Sequence, residues 1–351
     1  MELCEAIRKT ASLMSVTGYE DYEAETLRGL FGEWFDEYRI DPLKNQVFIR
    51  RCGRENAPKI LIDTHFDEIG MIVTDIKDGG FLTVTNIGGL DTRILQAADV
   101  MIYGRKTVRG VVASTPPHLA KPEDKGNLRR VDELLIDTGY TRKEIEEIVC
   151  IGTPVGFVPR YTRLGEKELA GKGFDNKACV ACAAAGLSKV SRDKQAGDVY
   201  FLLSAHEETD RLGGVVVGGE RIMPDYAMVM DVNLGRTPDT KPEETVELGK
   251  GVSVTLSAVT DRHLTGMVLK LAEREKIPTQ KIVSAESTGT NAASLGLVRG
   301  GVPTVDVGLP LKSMHTYNEV LNTDDAEALT RLVAAFVCDR EIAEVFGDEN
   351  N

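Results

Sequence analysis

Histidine is scarce in this chain, with five among 351 residues. Imidazole chemistry must therefore draw on His65, His118, His206, His263 or His315. Cysteine is scarce too: the six thiols, at 4, 52, 150, 179, 182 and 338, are scattered. Such sparse thiols suit a reducing cytoplasm better than a disulfide scaffold, so a cytoplasmic protein is expected. Cys179-Val-Ala-Cys182 is formally a CxxC, but its surroundings, CVACAAAGL, read as a packed helix rather than a redox or metal motif. The opening MELCEAIRKTASLM lacks an apolar core of signal-peptide length. No run of about 18 apolar residues occurs, so no membrane-spanning helix is expected. Positive charge is outweighed, 42 Lys and Arg against 55 Asp and Glu, a net of −13. That balance argues against nucleic acid and against anionic membranes as partners. No P-loop is present, and the absence of a GxSxG elbow disfavours a serine hydrolase.

What is present is an ordinary globular composition, 42% apolar and 28% charged, in a chain long enough for two domains. Residues 1–40 read as helical, with a break at Ser15–Glu20. KILIDTH (59–65) is an apolar run ending in polar residues, as in a buried parallel strand. From about 75 to 167 the texture becomes short β-type runs separated by Gly and Asp: FLTVTNIGG, DVMIYG, RGVVAS, GTPVGFVPR. That spacing predicts a small β-barrel or sandwich. Inside it, Thr141-Arg-Lys-Glu144 makes a capping box before a short helix. PPHLAKPEDKGN (116–127) reads as a loop. After about 168 an α/β texture returns, with VYFLLSA, AMVM and VPTVDVGLP as strands and LTGMVLKLAEREK and DDAEALTRLVAAFVCDREI as helices. The expected architecture is thus an α/β domain, 1–74 plus 168–351, interrupted by an inserted β domain, 75–167.

Five residues with metal-ligand side chains punctuate the α/β part: His65, Asp175, Glu208, Asp231 and His315. A second carboxylate, Glu207, adjoins Glu208. In open α/β sheets, ligands bind beyond the carboxyl ends of the strands. His65, the glutamate pair and Asp231 each directly follow an apolar strand run, and His315 follows a strand and a short loop. Asp175 precedes a helix, where an Asp also serves as N-cap. Each residue alone reads as a cap, a turn residue or a solvated charge. Together they match the needs of a two-metal hydrolase: a bridging carboxylate, two further ligands per cation, and one free carboxylate as base. In His65-Phe-Asp67, residues two apart in an extended segment share a face. Asp67 can then accept from the ring nitrogen of His65 that faces away from metal, unless it merely begins a turn with Glu68. His206 reads as a neighbour behind the pair, His118 as a loop residue and His263 as surface.

In ordered stretches over nearly its full length, the chain resembles the cytosolic glutamyl and deblocking metalloaminopeptidases that form tetrahedral assemblies, some of them labelled endoglucanase or cellulase M. The stretches are DTHFDEIGMIV (63–73), GRKTVRGVVASTPPH (104–118), ELLIDTGYTRKEIEEI (133–148), GKGFDNKACV (171–180), the glutamates at 207 and 208, VMDVNLGRTPD (229–239), LGKG (248–251), IPTQ (277–280), GGVPT (300–304) and MHTYNEV (314–320). The resemblance implies an α/β/α catalytic domain of the dinuclear aminopeptidase type with an inserted small β-barrel used in dimerisation. It implies that His65, Asp175 and Asp231 hold one metal and that Asp175, Glu208 and His315 hold the other. Asp175 would bridge, Glu207 would be the general base, and Asp67 would support His65. It further implies peptide substrates and a homo-oligomer, with a tetrahedral dodecamer as the leading form. The mixed carboxylate and imidazole set suits two divalent ions per chain, Zn or Co, with Mn also accommodated.

The chain departs from the family pattern around the substrate. His206 replaces the usual Gln, and Asp210 stands where Gly is common. Arg236 and Lys312 lie in segments where the family has other residues, and Asn291 replaces an Asp. Arg236 and Lys312 therefore predict a lean toward acidic N-terminal residues or short peptides. The rival readings are a deacylase or carboxypeptidase on a related two-metal scaffold, and an assembly protein that has lost catalysis. A glucan hydrolase would need two carboxylates flanking a sugar, whereas here the carboxylates are accounted for by metals.

Overall fold

A computed structural model describes residues 1–114, 129–209, 212–285 and 287–347. His118, the loop at 116–127, and Asp210 lie outside these residues. The larger body is built on an 11-stranded sheet. Four strands at its centre run parallel, in the order Asp198–Ser204, Lys59–His65, Tyr226–Leu234 and Thr304–Lys312. Nearly every residue in them is buried, as the continuous apolar runs require when helices cover both faces. The helix Phe174–Lys189 packs on one face, against Leu3–Ser12 and Thr323–Phe336. Its Ala- and Cys-rich sequence is buried almost all round, including Cys179 and Cys182. At Gly186 a Cβ would lie 2.6 Å from the carbonyl oxygen of Thr330, so only glycine allows the helices to approach this closely. Gly213–Ile222 and Asn291–Leu295 cover the other face.

Six antiparallel strands close into a separate barrel: Gly70–Ile76, Leu82–Ile87, Leu135–Asp137, Thr107–Val112, Asp99–Tyr103 and Pro154–Phe157. It has its own apolar core, fed by period-two patterns such as Thr107–Val112, where exposed and buried residues alternate. The expected capping box is present, with Thr141 and Glu144 each accepting from the other's backbone N–H. The barrel strands start at Gly70, five residues before the expected boundary of 75. They end at Phe157; Tyr161–Leu164, expected in the insert, instead joins the large sheet by pairing with Glu168–Gly171. The reason is that the strand before the insert turns straight into the barrel, so texture alone shows no break there. The first 40 residues are not all helical either. Glu37–Ile40 is an edge strand, held in place by pairing with Gln46–Arg50. No helix among the described residues is long and apolar enough to cross a membrane.

Candidate metal centre and active site

Parallel pairing places the sequence-predicted residues together. The register sets Ser204 opposite His65, so the chain leaving each strand delivers the glutamate pair and His65 to one sheet edge. Asp231 lies near the same end of Tyr226–Leu234. The helix Phe174–Lys189 brings Asp175 in its first turn, and the turn after Thr304–Lys312 brings His315. These residues line a cavity of about 650 Å³.

Two groups of three form within it. His65 Nε2 is 3.0 Å from Asp175 Oδ1 and 3.4 Å from Asp231 Oδ1. His315 Nε2 is 3.4 Å from Asp175 Oδ2 and 3.3 Å from Glu208 Oε2. Each trio offers ligand atoms that all lie within 4.8 Å of one another. Asp175 thus gives one oxygen to each group. Glu207 belongs to neither, although its Oε2 is 3.9 Å from His65 Nε2.

The electrostatics fit a cationic occupant. Burial, reinforced by Asp231 and Asp175, pushes Glu207 up to about 8. Burial and the charge of Asp175 push Glu208 well up, and burial raises Asp231. Burial also opposes ionisation of Asp175, but hydrogen bonds from His315 and His65 outweigh it and hold that carboxyl below the usual range. Burial acts against a charged His65 as well, yet the carboxylates of Asp231 and Glu207 raise it well above an ordinary imidazole. Four largely buried carboxylates converge on two imidazoles, an arrangement that is costly without added positive charge. Oxygen and imidazole donors in two compact groups suit two divalent cations.

The supporting contacts differ from the sequence expectation at one point. His65 Nδ1 donates to the backbone carbonyl of Asp67 at 3.0 Å, whereas the Asp67 carboxylate stands 3.6 Å away. That carboxylate instead accepts from the backbone N–H groups of Glu207 and Glu208, each at 3.0 Å, and from Thr17 Oγ1 at 2.8 Å. A second buried carboxylate acts the same way at the other group. Glu319 accepts from the N–H of Asp175 at 3.1 Å and from that of His315 at 3.2 Å. Glu20 accepts from the N–H of His206 at 3.2 Å.

Arg236 and Lys312 do not reach the cavity. Arg236 is held by Glu247, Thr245 and the carbonyl of Pro242, and Lys312 by Glu168 at 3.4 Å. Neither lines the cavity, and these partners take up both charges, so the geometry lends the expected acidic preference no support. Asn291 sits beneath the centre, donating to Asp63 Oδ2 at 3.0 Å and to Ser204 Oγ at 2.8 Å. Asp63 and Asp306 are buried acids outside the sequence-predicted set, and burial pushes each up to about 7. A signal for them exists: each is a lone acid inside an apolar strand run, KILIDTH and VPTVDVGLP.

Comparison with known proteins supplies the context for this geometry. Residues 45–332 match the family model of the M42 glutamyl aminopeptidases. A lysyl aminopeptidase of Pyrococcus furiosus is 30% identical over 95% of this chain and 96% of its own. The structure of an aminopeptidase from the archaeon Desulfurococcus kamchatkensis superposes with a TM-score of 0.89 at 27% identity, covering 98% of this chain and 97% of that one. The TET1 peptidase of Pyrococcus horikoshii, described as assembling into a tetrahedron or a large octahedral shell, superposes with a TM-score of 0.84 at 27% identity over 96% and 99% of the two chains. With its α/β sheet, its closed barrel and its carboxylate-rich cavity, the chain belongs to the M42 glutamyl aminopeptidase family of peptide hydrolases.

Proposed function

We propose that this protein removes N-terminal residues from peptides with two divalent cations, Zn or Co, with Mn as a further candidate. The single observation that carries the reading is the division of Asp175: Oδ1 faces the His65 and Asp231 group, and Oδ2 faces the His315 and Glu208 group. His65, Asp175 and Asp231 would hold one ion, and Asp175, Glu208 and His315 the other. Bound there, such ions supply Lewis acidity that acidifies a water and polarises the scissile carbonyl. The chain's own groups do the rest. Glu207, beside both groups but in neither, accepts the proton of the attacking water and returns it to the leaving amine nitrogen. Burial raises Glu207, and its ionised form would be favoured with both groups occupied by cations. Asp67 and Glu319 hold the backbone of the ligand-bearing segments and so fix where the side chains converge.

We further propose a homo-oligomer, with a tetrahedral dodecamer as the leading form, joined partly through the barrel. Support comes from the barrel's separate core and from the assembly described for the Pyrococcus horikoshii relative. The residue removed is not chosen by the comparisons, since the family is described as glutamyl and one relative as lysyl.

Elemental analysis after reconstitution, coupled to release of N-terminal residues from short peptides, tests the reading. About two ions per chain and metal-dependent release with a free amine at the cleaved end are expected. Fewer than one ion, or release from N-acylated substrates alone, would sink it. Light scattering of the metal-loaded protein tests assembly, and a monomer at all concentrations would refute that part.

A further inference from the structure

The strands that carry His65 and Asp231 part just before those residues. Tyr226–Leu234 pairs with Lys59–His65 from Tyr226 opposite Ile60 to Val229 opposite Asp63, and the ladder ends there. Each strand runs on with its other neighbour. Lys59–His65 stays paired with Asp198–Ser204 as far as His65, and Tyr226–Leu234 with Thr304–Lys312 as far as Leu234. His65 and Asp231 each stand two residues beyond the last rung, so that ladder does not set their separation.

Two side chains of the helix Phe174–Lys189 hold the strand beyond that point. Asn176 Nδ2 donates to the carbonyl of Met230 at 2.8 Å, and Cys179 Sγ donates to the carbonyl of Asp231 at 3.3 Å. Both side chains are fully buried, where a backbone carbonyl left unpaired is costly. Both are neutral donors, so they add no charge to the site, and Cys179 joins neither ligand group. The same helix carries Asp175 in its first turn. The carboxylate of Asp231 is tied to its own strand: the N–H of Val232 donates to its Oδ1 at 2.8 Å, the oxygen that faces His65 Nε2 at 3.4 Å. Holding the backbone at Met230 and Asp231 against the helix thus holds the Asp231 side chain relative to Asp175.

We propose that Asn176 and Cys179 are positioning residues that set the separation of Asp231 from Asp175, and through it the affinity of the His65, Asp175 and Asp231 group for its cation. The proposal rests on the two-metal reading above. The other group is held separately, since Glu319 accepts from the N–H groups of Asp175 and His315. Loosening the strand therefore shifts Asp231 and leaves Asp175 in place. A thiol is the weaker donor of the two, so Asn176 carries more of the effect.

The test titrates zinc into the metal-free protein in competition with a chelating dye and reads the dissociation constant of each ion. Asn176→Ala should weaken one ion about tenfold or more, the usual scale for groups that orient ligands, and leave the other within about twofold. Cys179→Ala should weaken the same ion about three- to tenfold. Cys179→Ser keeps a donor and should lose less than Cys179→Ala. The reverse order, alanine tolerated and serine not, overturns the role of Cys179, because a thiol that only fills space is better replaced by an apolar side chain. Unchanged affinity in Asn176→Ala overturns the proposal. Equal weakening of both ions also overturns it, since general loosening of the fold produces that result. Anomalous diffraction from crystals grown at limiting zinc shows which group has lost its ion, and loss from the Glu208 and His315 side overturns the assignment. Should Asn176→Ala not fold, the order of the two Cys179 variants decides. A wild type that binds fewer than one ion per chain would instead defeat the two-metal reading itself.

Discussion

Asp67 holds Glu207 by its backbone rather than by its side chain. Its Oδ1 accepts the Glu207 N–H at 3.0 Å, and its Oδ2 accepts the Glu208 N–H at the same distance. One carboxylate therefore sets the position of both glutamates, while its own backbone carbonyl orients His65. Asp67→Asn removes one acceptor and turns an amide N–H toward a backbone N–H. Metal affinity should fall about 10–100-fold, the usual scale for groups that orient ligands. Competition with a chelating dye measures it, and unchanged affinity would contradict this role.

Glu319 makes the matching contacts at the other group, to the N–H groups of Asp175 and His315. Glu319→Gln should loosen the Asp175, Glu208 and His315 trio more than the His65 and Asp231 side. The expected outcome is one tightly retained ion per chain after dialysis where the wild type keeps two. Loss of both ions with equal ease would show that Glu319 does not act locally.

Glu207→Gln and Glu208→Gln should separate, although the residues are adjacent and chemically alike. The first should keep near-normal metal content and oligomeric state while kcat falls about 10²–10⁴-fold, as loss of a general base does. The second should lose metal from one group together with activity. Wild-type turnover in Glu207→Gln with verified metal places the base elsewhere.

Removing metal should leave a distinctive pH dependence. In the metal-free protein Glu207 stands at about 8, and Glu208, Asp231 and His65 are also raised. A group whose folded pKa exceeds its unfolded value binds more protons when folded, so its contribution is lost as pH rises through the folded pKa. The metal-free protein should therefore lose Tm as pH rises from about 4.5, the ordinary carboxyl value, to about 8, relative to the loaded protein. Buried Lys177, pushed down to about 7 by burial, acts in the opposite direction, but it does so in both forms and cancels in the difference. Scanning calorimetry with and without chelator reads it, and parallel Tm curves would refute it.

Arg236→Ala should leave the ratio of glutamate to leucine release within about twofold, because its partners are Glu247, Thr245 and Pro242. A large shift in that ratio would mean that the side chain reaches substrate.

Much of the fold and the site is legible in the residue order. KILIDTH, VYFLLSA and AMVM announce buried parallel strands, because a strand covered on both faces is apolar throughout. Their polar ends then have to share one edge, and His65, Glu207, Glu208 and Asp231 follow from that rule. The capping box at Thr141 is equally plain, since it depends only on residues three apart. The strand Glu37–Ile40 is not, because its pairing with Gln46–Arg50 overrides a weak local preference.

Local pattern also cannot say what a side chain touches from a distant segment. Asp67 reads as a partner of His65, two residues away, and the fold turns its carboxylate to backbone 140 residues farther along. Arg236 and Lys312 lie close in sequence to site residues, yet strand direction and nearby acids take their charges elsewhere. The strand runs, the ligand types and the presence of a spare carboxylate follow from residue order alone, because periodicity and chemistry are local properties. That Asp175, named as the bridge by the resemblance, turns one oxygen to each group, and that Asp306 reaches the cavity, are decided by the folded chain, because both depend on the register between strands and helices far apart in sequence.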